Sequence, residues 1–128
     1  MKYGYARTQA TDQQFKKEIE ILNVLGCKKI VFDIIPENRR YGNNFLQLIQ
    51  NAKKGDILVV YSFQRLCNTV AELSTIISTL KDSKMGLISL KEQIDSNTFE
   101  GTLFLHSMSE MPIEHLDDDV SISSYLRF

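Results

Sequence analysis

Four short runs rich in β-branched and aromatic residues alternate with apolar stripes of helical spacing, and this alternation constrains the fold more than any other feature. The runs are Lys2–Ala6, Ile30–Ile35 (IVFDII), Ile57–Tyr61 (ILVVY) and Gly86–Leu90. After the first comes Phe15, Ile19 and Leu22, at steps of four and three, the stripe of an amphipathic helix. Asp12 or Thr11 is placed to cap it and Gly26 to end it. Asn44–Lys54 carries Phe45, Leu48, Ile49 and Ala52 and stops at Gly55. Val70, Leu73, Ile77 and Leu80 make a third stripe, and Phe99–Met111 has helical character. Strands alternating with helices of this length predict βαβ units and a mostly parallel sheet of four strands flanked by helices. The IVFDII run reads as a strand covered on both faces and closed by Pro36, and Asp95, Ser96 and Asn97 read as a loop.

In such sheets, sites form beyond the carboxyl ends of the strands, where the strand order reverses. That predicts one edge made of Arg7–Gln13, Asp33–Arg40 and Ser62–Thr69, which holds Arg7, Arg39, Arg40 and Arg65. Arginines from separate strand ends suit a phosphate, because each guanidinium donates bidentate, charge-assisted hydrogen bonds. The plainer reading pairs these arginines with a neighbouring acid such as Asp33.

Length and composition narrow the classes. A chain of 128 residues, 43% hydrophobic and 24% charged, buries a core of its own. The N-terminus turns polar at once, and no apolar run reaches the eighteen or so residues of a membrane span. Cys27 and Cys67 are far apart and lack CxxC spacing, so a reduced, cytoplasmic protein without membrane contact is expected. Residues 1–98 carry a net charge of +4 and residues 99–128 a net charge of −5, so phosphate would favour the body and be repelled by the tail. No GxxxxGK[ST] or GxSxG motif occurs. His106 and His115 have no nearby cysteine, which argues against a zinc site.

Five segments in order carry a resemblance: YGYAR at 3–7, GCKKIVFD at 26–33, KKGDILVV at 53–60, SFQRLCNTVAEL at 62–73, and LISLKEQIDSNTFEGTLF at 87–104. Together they resemble the N-terminal catalytic domain of the small serine recombinases, the resolvase and invertase family, over about residues 1–110. The resemblance implies a strand order of 2-1-3-4. It also implies chemistry in which a serine attacks a DNA phosphodiester, arginines hold the phosphate, and no metal or other cofactor is needed. That chemistry is physically coherent: a serine hydroxyl is a weak nucleophile, and the charge of the transition state needs preplaced cations.

Carried over residue by residue, the family site is altered. The family's YARVST reads YARTQA here, so Gln9 occupies the place of the nucleophile, while Arg7, Gln13 and Asp33 match. The family's DRLGRS reads QRLCNT: Arg65 matches, Gln64 replaces an acid, Cys67 a glycine and Asn68 an arginine. The arginine that opens the family's second helix falls at Gly42, with Arg39 or Arg40 near enough in sequence to substitute. Thr8 and Thr11 are poor surrogate nucleophiles, one pointing to the opposite side of an extended strand and the other at a helix cap. The expected site therefore comprises Arg7, Gln9 and Arg65, lined by Gln13, Asp33, Arg39, Arg40, Gln64 and Asn68.

One catalytic-type domain is expected over residues 1–111, followed by a divergent acidic tail over 112–128 that begins at Pro112, with no helix-turn-helix domain. Three functions follow. The first is a recombinase relative unable to cleave DNA that regulates an intact recombinase. The second is a residual strand-cleaving enzyme. The third is a phosphate- or protein-binding module without chemistry, and a remnant of a mobile element stands beside it. The partners expected are an intact serine recombinase, a second copy of the chain, and DNA held weakly.

Overall fold

The computed structural model describes residues 1–8, 12–34, 43–67 and 69–110, with the backbone alone for 109 and 110. Strand β1 (Lys2–Thr8), helix α1 (Gln13–Val24), strand β2 (Lys29–Ile34), helix α2 (Asn43–Asn51) and strand β3 (Ile57–Val60) follow in order. A 3₁₀ turn (Phe63–Arg65), helix α3 (Val70–Asp82), strand β4 (Gly86–Ser89), strand β5 (Ile94–Asp95) and helix α4 (Phe99–Glu110) complete it. The sheet order is β2-β1-β3-β4-β5. The first four strands run parallel, with Arg7 beside Asp33 and Tyr5 beside both Val31 and Val60.

The expected 2-1-3-4 order is therefore present, with a fifth strand in place of the expected loop. Asp95 and Ile94 pair antiparallel with Ile88 and Ser89. Two residues are too few for a period-2 pattern to register, which is why this strand escapes a reading of the letters.

The order also dictates which face each helix covers. The chain steps from β1 to β2 in one direction, then returns past β1 to β3 and β4. Right-handed crossovers then put α1 on one face and α2 and α3 on the other. Side chains agree. A Cβ on Gly4 would lie 3.2 Å from Leu22 of α1, whereas the ring of Tyr5 packs on Phe45 of α2 with centroids 4.9 Å apart. The larger core joins Tyr5, Leu58, Val60 and Leu87 to α2, α3 and Met108 of α4. On the α1 face, Ala6, Leu22 and Val59 are buried.

The IVFDII run is not covered on both faces. Its residues 30–34 lie in β2, an edge strand among the described residues, and Phe32 and Ile34 are 43% and 53% exposed. The ring of Phe15 covers Phe32 only in part, edge-on with centroids 5.3 Å apart. The central places go to β1 and β3, because the crossover from β2 passes β1.

Helix ends follow sequence chemistry. The Asp12 carboxylate accepts from the Phe15 N–H at 2.9 Å and caps α1. At the other end Gly26 has φ +82°, Gly26 N–H donates to the Asn23 carbonyl and Cys27 N–H to the Leu22 carbonyl, a Schellman closure that needs the left-handed conformation. Thr69 caps α3 by accepting from the Glu72 N–H at 3.2 Å. Helix α2 stops at Asn51, short of the expected Lys54. Asp56 accepts from the Lys53 N–H at 2.8 Å and Gly55 has φ +92°, so the chain has already turned toward β3. Thr11, Pro36, Met111 and the tail from 112 lie outside the described residues.

Candidate functional site

The strand order reverses between β1 and β3, so the crevice predicted for a site opens where Arg7 and the Ser62–Arg65 segment meet. The structure brings them together. Arg7, the penultimate residue of β1, is 9% exposed, and its Nη2 donates to the Gln64 carbonyl at 2.9 Å. Gln64 thus contributes through its backbone. Thr8, the next strand residue, points to the other face by strand alternation.

Asp33 sits beside Arg7 in register, and its two oxygens anchor the fold. The Tyr5 hydroxyl donates to Oδ2 at 2.8 Å, Phe45 N–H to Oδ2 at 3.0 Å and Asn44 N–H to Oδ1 at 3.1 Å. A carboxylate at the start of α2 accepts its unpaired N–H groups and complements the helix dipole. The Asn44 amide donates in turn to the Phe32 carbonyl at 2.8 Å. Burial, then the bond to Asp33, pushes the Tyr5 phenol far above its ordinary range, so it serves here as a neutral donor.

Arg65 closes the 3₁₀ turn after β3. Its Nε donates to Glu18 Oε1 at 2.8 Å and its Nη2 to Glu18 Oε2 at 2.9 Å. The Glu18 side chain is 3% exposed and that of Arg65 33%. The bond to Glu18 holds the guanidinium pKa up, against the effect of its partial burial. The acid that pairs with this arginine is therefore on α1, and it is not Asp33. Glu18 lies three residues after Phe15 and four before Leu22, on the stripe that faces the sheet. An acid on an apolar stripe demands a partner, and that was the signal available in the letters.

Two more buried acids stand close by. Glu92 Oε1 accepts from the Phe63 N–H at 3.1 Å and from the Ser89 hydroxyl, fixing the turn that carries Arg65. Glu72 is 6% exposed; its Oε1 receives the Thr69 hydroxyl at 3.3 Å, and its Oε2 has no hydrogen-bond partner among the described residues. Cys67 is buried, donates to the Phe63 carbonyl at 3.5 Å, and its thiol is pushed up to about 12 by burial and then by Glu72. It is structural rather than reactive. Gln13 is exposed at the start of α1.

Of the expected site residues, Arg7, Gln64, Arg65 and Asp33 converge on the carboxyl edge. Gln9, Arg39, Arg40 and Asn68 lie outside the described residues, as does Gly42. Among the described side chains, two arginines share this region with the buried carboxylates of Glu18, Asp33, Glu72 and Glu92. That balance differs from the electropositive edge the arginines alone suggested. A cavity of about 530 Å³ lies elsewhere, at the Met1, Tyr3 and Lys29 end of the sheet against α2. Among the described residues no cluster of His, Cys, Asp and Glu could hold a metal ion, and no helix is long and apolar enough to cross a membrane.

Comparison with known proteins places this geometry. Residues 2–115 match the family model of the resolvase N-terminal domain. The chain is 32% identical over 108 residues to the transposon Tn552 DNA-invertase BinR of Staphylococcus aureus, covering 83% of this chain and 56% of that protein. It is 30% identical over 108 residues to the DNA-invertase hin of Salmonella typhimurium, covering 84% and 57%. It is 27% identical over 111 residues to the serine recombinase gin of Escherichia phage Mu, covering 87% and 58%. The chain thus spans a little over half the length of these relatives. Among solved structures, the N-terminal catalytic domain of TP901-1 integrase superposes with a TM-score of 0.66 at 21% identity, covering 85% of this chain and 92% of that one. A resolvase-family site-specific recombinase from Streptococcus pneumoniae gives 0.61 at 13% identity, covering 85% of each. At these identities the structural likeness speaks for the fold.

Proposed function

We infer, from the premise that this chain belongs to the serine recombinase family of resolvases and DNA invertases, that it is a non-cleaving member that acts in DNA recombination through association with an intact recombinase. The observation that carries this reading is the fate of Arg65. The one arginine that the QRL segment keeps is held in a bidentate pair by the buried Glu18. A phosphate arriving at this edge would have to share or displace that carboxylate.

Sequence supports the same conclusion. Gln9 stands at the nucleophile's place, and a carboxamide supplies no hydroxyl to attack phosphorus. Loss of a nucleophile alone costs on the order of 10⁶ in rate in well-studied hydrolases. Asn68 and Gln64 replace further charged groups of the family pattern, and no serine stands between Arg7 and α1 to take over. What the chain keeps is the scaffold: the 2-1-3-4 order, the Asp33 anchor of α2, and α4 packed on α3 and β5. A kept scaffold with an altered edge suits mixed assembly better than independent catalysis.

The test is association. The tagged full chain is mixed with an intact serine recombinase from the same source and followed by sedimentation velocity, with each protein alone as reference. A mixed species at low micromolar concentration supports the reading. Two unchanged sedimentation profiles, with no effect of the chain on the partner's recombination rate, would overturn it.

A further inference from the structure

We propose that Glu18 is the residue that sets the anion affinity of the Arg7–Arg65 edge, acting as a resident carboxylate in the place a phosphate would take on Arg65. The inference deepens the non-cleaving reading, resting on its view of this edge as a former phosphate site and not on association with a partner.

A guanidinium has five N–H donors, and its Nε and Nη2 edge presents two of them side by side, the spacing that carboxylate and phosphate oxygens share. Glu18 occupies that edge with both oxygens, at 2.8 and 2.9 Å. The carboxylate belongs to the fold and is 3% exposed, so water competes poorly for it. Its position is set from both sides. Leu22, one turn further along α1, is fully buried against the sheet, and the Gln14 amide, one turn earlier, lies 3.4 Å from Glu18 Oε2. Arg65 is equally fixed, since the Phe63 N–H is held by Glu92 and Arg65 N–H donates to the Ser62 carbonyl at 3.0 Å. Two rigid elements thus present a charge pair across 47 positions of sequence.

The competition is electrostatic as well as geometric. A second anion on this guanidinium would sit against a buried carboxylate, and like charges at such range repel strongly where water is excluded. Glutamine has nearly the shape of glutamate. Its amide oxygen can still accept one Arg65 N–H, while its NH₂ group faces the other donor and cannot accept from it. Glu18→Gln therefore frees one donor and removes the opposing charge with little change in packing.

The experiment compares the wild-type chain, Glu18→Gln and the double variant Glu18→Gln with Arg65→Ala, using inorganic phosphate as the probe. Binding is read as the phosphate dependence of the melting temperature, with chloride at matched ionic strength as control. The expected result is an affinity gain of roughly tenfold or more in Glu18→Gln, the scale of one charge-assisted hydrogen bond, and its loss in the double variant. Phosphate affinity equal in wild type and Glu18→Gln, whether measurable or nil, overturns the proposal, as does a gain that survives Arg65→Ala. A second readout does not depend on either variant folding well. In ¹⁵N spectra of the wild-type arginine side chains, the Arg65 Nε–H should exchange slowly with water, and excess phosphate should leave it unchanged. A fast-exchanging Arg65 Nε–H contradicts a resident carboxylate. Either failure leaves the association reading standing, because that reading is tested by sedimentation with the intact recombinase.

Discussion

The Tyr5 hydroxyl donates to Asp33 Oδ2 at 2.8 Å, joining the central strand β1 to the edge strand β2 at the point where α2 begins. The same oxygen accepts the Phe45 N–H, so one carboxylate ties two strands and a helix together. An aspartate that resembles a catalytic-edge residue thereby serves the scaffold.

Asp33→Asn should cost about 2–3 kcal/mol, because a buried acceptor of three hydrogen bonds loses its charge and one oxygen becomes a donor facing other donors. Tyr5→Phe should cost less, about 1–2 kcal/mol, since the carboxylate keeps both helix N–H groups. Urea unfolding of both variants checks the order. Equal losses, or a milder Asp33→Asn, would contradict the anchor role.

Gly101 is fixed by contact rather than by conformation. A Cβ built there would lie 1.9 Å from the Asp95 carbonyl oxygen and 2.9 Å from the Thr98 hydroxyl. The first turn of α4 is held in that place by Gly101 N–H donating to Thr98 Oγ1 at 3.0 Å and Thr102 N–H to the Thr98 carbonyl at 2.9 Å. Backbone cannot yield as a side chain can, so Gly101→Ala should cost on the order of 3 kcal/mol or more and loosen α4 from β5. Thermal unfolding with amide exchange along α4 measures both effects. A variant within about 0.5 kcal/mol of wild type would contradict the close approach.

Asp56 gives a pH prediction. Its carboxyl is held below the ordinary range, first by the Lys53 N–H at 2.8 Å and further by the N-terminal ammonium at 3.2 Å, against partial desolvation. A folded pKa below the unfolded value of about 3.9 means the stabilisation is complete above that pH and is lost as pH falls through the folded value. Asp56→Asn should therefore be less stable than wild type at pH 7, with the gap closing below about pH 4. Urea midpoints from pH 7 downward test this. A gap that stays constant would contradict it.

The regular elements were legible because their letters repeat at the period of the structure they form. Phe15, Ile19 and Leu22 announce α1, and ILVV at 57–60 announces β3. Less legible was anything set by chain order or by distant pairing. The IVFDII run carries the composition of a buried strand, yet the crossover past β1 leaves it at the edge with Phe32 and Ile34 half exposed. Proximity in the letters offers Asp33 as an arginine's partner, whereas Arg65 is served by Glu18, 47 positions away. Glu72 and Glu92 carry no signal in the letters because a glutamate in a helix or loop is ordinarily solvated, and here the turn between β3 and α3 folds over both.

On the proposed reading, this edge does not cleave DNA. The most direct measurement is incubation of the purified chain with supercoiled plasmid, followed by denaturing separation of nicked circles and protein-linked ends. Neither product is expected above the background of an Arg7→Ala preparation. Gln9→Ser alone should leave that result unchanged, because Glu18 still holds Arg65 and residue 68 is still asparagine. Protein-linked ends formed by the wild-type chain and abolished by Arg7→Ala would contradict it.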